Sequence, residues 1–341
     1  MAYHTFSPAY TGLIDRLNRT PKGAAPSELL YKILKVLFNE KEAEWLAKFP
    51  IRPFTVQTAA RAWKMNSAAA RKVLDGLADR GVLVDILIDD ERFYCLPPPM
   101  AGFFEFSLMR VRNDIDQKVL SELFYRYITV EEDFIRGLIV GGETQQGRIF
   151  VNEPTLSKEN ALHVLDYERA GEVIRAASPI GVSLCFCRRK MAHLNRDCNA
   201  PKEICMTFNM AAASLIRHGF ARRLEVAECL DLLQRVYTEN LVQFGENVRE
   251  GVNFICNCCK CCCEAMAAAR RFGLLHPVHT THFIARIRIE NCTGCGKCIS
   301  LCPVDALVRV DAGKHHFSVQ LDESLCLGCG VCVRGCPAGG A

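Results

Sequence analysis

All but two of the chain's 20 cysteines, Cys95 and Cys229, fall into two fields whose spacing suits metal ligation. In the C-terminal field the chain reads Cys292-x-x-Cys295-x-x-Cys298-x-x-x-Cys302-Pro303, then Cys326-x-x-Cys329-x-x-Cys332-x-x-x-Cys336-Pro337. Three thiolates from one tight loop reach a single centre, while the fourth, one helical turn on, points toward a second. A doubled run of this kind is iron-sulfur spacing. Structural zinc sites also use C-x2-C, but as two pairs rather than runs of three followed by a fourth and proline. Gly294, Gly296, Gly328 and Gly330 lie between the ligands, where a sharp turn must offer backbone N–H groups to sulfur.

Over residues 285–337 the segment resembles the two-[4Fe-4S] bacterial-type ferredoxin family, with every ligand position filled. The resemblance implies one-electron transfer at low potential and a small pseudo-twofold domain framed by strands. The spacing assigns Cys292, Cys295, Cys298 and Cys336 to one [4Fe-4S] cluster, and Cys326, Cys329, Cys332 and Cys302 to the other. Alternation at Arg286–Ile289 and His316–Leu321 marks the framing strands.

The second field opens with Cys185-Phe186-Cys187-Arg188, Cys198, Pro201 and Cys205, and closes with Cys256, Cys258, Cys259, Cys261, Cys262 and Cys263. A reducing compartment disfavours disulfides, and adjacent cysteines such as Cys258 and Cys259 bridge only with strain. Core packing accounts for one cysteine, as expected at Cys95 and Cys229, but not for six together. Two closures are open. Cys185, Cys187, Cys198 and Cys205 could ring one centre, with four of the later six around another. If the later block is extended, side chains alternate, and Cys256, Cys258 and Cys262 face away from Cys259, Cys261 and Cys263, each triad recruiting thiols from the first block. One or two further iron-sulfur clusters are expected here, with zinc as the rival. Arg188, Arg189 and Lys190 would balance thiolate charge or form a solvated basic run. His276, His279 and His282 read as exposed or structural rather than as ligands.

From Cys185 to Cys263 the sequence is similar to the iron-sulfur region of a group of uncharacterised anaerobe 4Fe-4S-binding proteins. These combine a Cys-x-Cys-Arg block, a Cys-rich block and a C-terminal two-cluster segment. That resemblance implies no particular reaction.

At 341 residues and 50% hydrophobic composition the chain has material for several cores. No basic-then-apolar leader opens it and no apolar run of about eighteen residues occurs, so a cytoplasmic setting without a membrane span is expected, and exposed clusters holding this many thiols imply an anaerobic or well-protected one. A formal charge of +4 gives bulk electrostatics no case for nucleic acid.

The elements that must carry these fields point to an α+β multidomain chain. Residues 1–26, with Pro8, Pro21 and Pro26, read as an arm. Residues 27–99 resemble a winged helix: a helix from Ser27, helices over Thr55–Met65 and onward to Asp79, a stop at Gly81, then strands Val82–Ile88 and Arg92–Leu96 about Asp89-Asp90. DNA binding is set aside because Asp85, Asp89, Asp90 and Glu91 occupy the hairpin that phosphates would approach, and the second helix offers only Arg71, Lys72 and Arg80. Residues 100–182 connect and shield, with helices at Asp116–Ile128 and Leu162–Ala176, punctuation at Gly141-Gly142 and a strand at Arg148–Val151. Residues 183–275 form a mostly helical Cys-rich region, including helices at Met206–His218 and Leu224–Glu239. Residues 276–341 form the ferredoxin-like two-cluster domain.

The function expected is electron transfer through two to four [4Fe-4S] clusters to or from a partner redox protein or catalytic subunit. The rivals are a reductase with a substrate-binding cluster between Cys185 and Cys263, and a redox-responsive DNA-binding regulator.

Overall fold

The computed structural model describes residues 7–20, 23–140, 145–273, 277–311 and 317–340. The expectations at Pro21, Gly141-Gly142, His276 and His316 lie outside them. The chain is mixed α/β and multidomain. One compact unit takes the described residues of 1–141 with Ser183–Arg196 and Met210–Arg223, and a second takes those of 142–182, Asp197–Asn209 and 224–341. Of the segments expected as successive domains, 1–26 and 27–99 fall in the first unit and 276–341 in the second, while 100–182 and 183–275 are divided between the two.

In the first unit, residues 8–17 are not a tether. Pro8 stands at the first helical position of Pro8–Leu17, where its missing N–H leaves nothing unsatisfied. Leu13 and Leu17 are buried, and the buried Arg16 guanidinium donates to the Phe49 and Pro50 carbonyls at 2.8 and 2.6 Å. Helix Glu28–Leu37 begins where the Ser27 hydroxyl accepts the Leu30 N–H at 3.1 Å, a cap that stabilises by about 1 kcal/mol. Its Leu29, Leu30, Ile33, Leu34 and Leu37 make the buried stripe.

Helices Val56–Trp63 and Ser67–Asp79 follow, capped by Thr55 and Asn66. Gly81 then turns the chain at φ 71°, with the Phe220 ring where a Cβ would stand. Strands Val84–Ile88 and Glu91–Cys95 pair through a two-residue turn, Asp89 and Asp90 at φ 49° and 62°, and Phe54–Thr55 adds a third strand. One expectation needs correction here. Asp85 does not face outward: it is buried against Ser214, Arg217 and His218, so it offers no repulsion to an approaching phosphate.

In the second unit four whole strands lie in the order Gly147–Ile149, Val242–Glu246, Phe254–Cys258 and Glu203–Phe208, and the start of strand Ile180–Leu184, residues 180–182, comes next. The middle of the chain is therefore not mostly helical. The helix expected over Met206–His218 is strand through Phe208 and helix only over Asn209–Arg217, because Ile204, Met206 and Phe208 bury with period two and Asn209 breaks the strand at φ 55°. Likewise Leu162–Ala176 is not one helix but Lys158–Ala161, a turn at Asp166–Glu168 and Ala170–Ala176. The Glu168 carboxylate bends the chain there by accepting the Leu165 N–H at 3.1 Å.

Candidate metal centre

In the C-terminal field the ligand loops are built as their glycines require. Gly294, Gly296, Gly328 and Gly330 sit at φ 67°, 74°, 67° and 71°, and short helices Lys297–Leu301 and Val331–Arg334 start directly after two of them, carrying Cys298 and Cys332. Leu307–Asp311 and Phe317–Leu321 pair antiparallel behind the loops. Arg286–Ile289 is not their partner strand. The Arg288 N–H instead donates to the Gly340 carbonyl at 2.8 Å, tying the approach to the chain's end.

A small cavity in this domain is lined by Cys292, Cys295, Cys298 and Cys336, together with Gly296 and Pro337. The Gly340 N–H donates to the Cys336 sulfur at 3.3 Å, and the Lys297 N–H holds the Cys295 thiol below its ordinary value. Burial pushes Cys298 up, with Cys336 and Cys292 adding to it. Burial also pushes Cys332 up to about 12, with Cys302 and then Cys326 reinforcing it, and it raises Cys329 beside the same neighbours. Thiols crowded in this way give up their protons to a cation far more readily than to water. A thiol-lined hollow with N–H groups aimed at sulfur fits an iron-sulfur cluster.

The second field is resolved by where a strand stops. Phe254–Cys258 is extended, residues 260–262 turn, and helix Glu264–Arg271 begins. Alternation therefore fails beyond Cys258, and Cys262 joins Cys259 and Cys261. The ligand atoms of Cys198, Cys259, Cys261 and Cys262 all lie within 4.8 Å of one another. Within that set the Cys261–Cys262 and Cys262–Cys198 sulfurs are 3.6 and 3.9 Å apart, and the Cys262 N–H donates to the Cys259 sulfur at 3.4 Å. Burial and the nearby Cys259 push Cys261 up to about 11.

The other thiols gather differently. The Cys205 sulfur lies 3.8 Å from that of Cys256, and Cys205, burial, Cys258 and Cys263 together raise the Cys256 thiol. Cys198 and Cys205 thus turn to different members of the later block rather than ringing one centre. Cys185 and Cys187 belong to the first unit, where a hydrogen bond to Cys187 and burial raise Cys185 and the Arg188 guanidinium opposes the rise. Arg188 and Lys190 are fully buried, so the basic run is not a solvated one. Sequence reasoning gave no signal for Asn257. Its buried amide donates to the Ile204 carbonyl at 2.7 Å and accepts from Gln243 at 3.2 Å, fixing the strand that presents Cys256 and Cys258 on its opposite face.

Residues 291–340 match the family model of the 4Fe-4S dicluster domain. The match takes in all eight C-terminal thiols and stops short of the second field. No curated protein and no solved structure matches the chain. Among the described residues no helix is long and apolar enough to cross a membrane.

Proposed function

We propose that the chain is an iron-sulfur electron-transfer protein or subunit, passing single electrons to or from a partner oxidoreductase through two [4Fe-4S] clusters. Cys292, Cys295, Cys298 and Cys336 would hold one cluster, and Cys326, Cys329, Cys332 and Cys302 the other. The observation that carries this reading is the hollow lined by the first four thiols, inside the segment that matches the dicluster family. Such clusters supply reversible one-electron exchange, at potentials set by burial and by hydrogen bonds to sulfur. The N–H groups of Gly340 and Lys297 act on that property directly, since each stabilises negative charge on a ligand sulfur.

In this reading residues 27–99 are a winged-helix-like docking module, and the protein works in an anaerobic cytoplasm. Nucleic acid is left out as a partner because Asp75 and Asp79 share one groove with Arg71 and Lys72. The test is iron and acid-labile sulfide per chain on anaerobically purified protein, with EPR on stepwise reduction. At least about eight irons with matching sulfide, and signals from two reducible clusters, are expected from two cubanes. A sample with no acid-labile sulfide would sink the proposal. Co-purification with a larger oxidoreductase would identify the partner.

A further inference from the structure

We infer that Cys198, Cys259, Cys261 and Cys262 hold a single tetrahedral zinc ion, not a cubane, and that the ion braces the second cysteine field against the segment that carries Cys302. The inference is independent of the electron-transfer reading. A zinc ion bound to four thiolates at about 2.3 Å has sulfur–sulfur edges of about 3.8 Å. The sulfur separations of 3.6 and 3.9 Å, with all four ligand atoms inside 4.8 Å, bracket that edge. In a cubane each thiolate caps a different iron on an outer corner, so the sulfurs stand further apart than the irons and cannot share one tetrahedral edge. Among the described residues no other group of three or more such ligand atoms is this close. The eight C-terminal thiols are therefore more widely set, as a cluster requires.

Local chemistry agrees. Cys259 and Cys262 are a C-x2-C pair on a turn, and the Cys262 N–H bonds back to the Cys259 sulfur at 3.4 Å, which stabilises the thiolate and orients it. Cys198 comes from a distant stretch of chain, so the ion would close a loop that the backbone leaves open. Between the ligands, Lys260 pairs with Asp305 at 2.6 Å, and the Arg270 guanidinium donates to the Lys260 and Pro303 carbonyls at 3.1 and 3.3 Å. The turn thus rests on the residues just after Cys302.

Zinc, iron and sulfide are to be counted on the full chain and on its Cys198→Ser and Cys261→Ser variants. Each variant is expected to lose about one zinc and no iron or sulfide, since one ion fills a four-thiolate site. Loss of about four irons with matching sulfide would mean a cubane and overturn the inference. Unchanged metal content in both variants would overturn it as well. A variant that misfolds leaves a second measurement, zinc-edge X-ray absorption on the unaltered chain. Four sulfurs at about 2.3 Å are expected. A shell containing nitrogen or oxygen, or no zinc at all, counts against the site.

Discussion

The sulfurs of Cys205 and Cys256 face each other at 3.8 Å across neighbouring antiparallel strands, whose register places Met206 opposite Ile255. Cys258, two residues along, shares the Cys256 face, and Cys263 adds to the rise of the Cys256 thiol. Three thiols on the sheet with Cys263 close by, at the start of helix Glu264–Arg271, are unfavourable as thiolates without a cation. Iodoacetamide labelling of the native protein is therefore expected to spare Cys205 and Cys256, and labelling after metal removal without denaturant to modify both. Equal reaction before and after removal, read by mass spectrometry, would show that burial alone protects them.

In the C-terminal domain, Cys336 lines the same hollow as Cys292, Cys295 and Cys298, although it belongs to the other sequence run. Cys336→Ser is expected to perturb the EPR signal of one cluster and leave the other, and Cys302→Ser to do the reverse. If both variants strike the same signal, the exchange of fourth ligands between the two runs is wrong.

The C-terminal ligand loops were legible because their information is local: three thiols, two glycines and a proline within a dozen residues specify the loop by themselves. The later block of the second field was not. Whether Cys256–Cys263 runs extended or turns depends on a helix beginning at Glu264 and on pairing with Glu203–Phe208, fifty residues earlier in the chain. The same strand fits a helix in sequence because Met206 and Leu215 also match helical spacing, and a short apolar run carries both periods. Asp85 looked like a surface charge because Ser214, which accepts its N–H and donates to its carboxylate, stands 129 positions away.

Gly328 gives a sharper test of the ligand loops. At φ 67° a Cβ would be strained, and it would also run into the Thr281 side chain and the Phe283 carbonyl. Thr281 is itself committed, donating from its hydroxyl to the Gly328 carbonyl at 2.9 Å. Gly328→Ala is expected to destabilise the loop by about 1–2 kcal/mol from backbone strain alone, with more from the clash. Faster loss of iron to a chelator is the readout. Gly296→Ala, which has open space around its Cβ, should show the backbone part without the clash. Equal rates for the two variants would remove the steric argument.

The buried Asp85 makes the first unit's stability depend on pH in two directions. Burial opposes its ionisation most strongly, yet hydrogen bonds from His218 and Ser214 and the charges of His218 and Arg217 hold it down at about 2, against an ordinary 3.8. The resulting stability is fully present above about pH 4 and is lost as pH falls through 2; the shift corresponds to about 2 kcal/mol. For His218 burial lowers the proton affinity, but Asp85 at 3.1 Å and Asp79 at 2.6 Å outweigh it and raise it above 6.5. That contribution is fully present below pH 6.5 and is lost as pH rises through the raised value. The first unit is thus expected to be most stable between about pH 4 and 6.5. Trp45 and Trp63, the chain's two tryptophans, stack at 5.0 Å within this unit, so their fluorescence reports its unfolding by urea apart from the metal centres. Asp85→Asn is expected to destabilise the unit by roughly 3 kcal/mol, leaving Arg217 and His218 without their buried partner, and to flatten both limbs of the pH profile. Limbs of unchanged slope in that variant would assign the pH dependence to other groups.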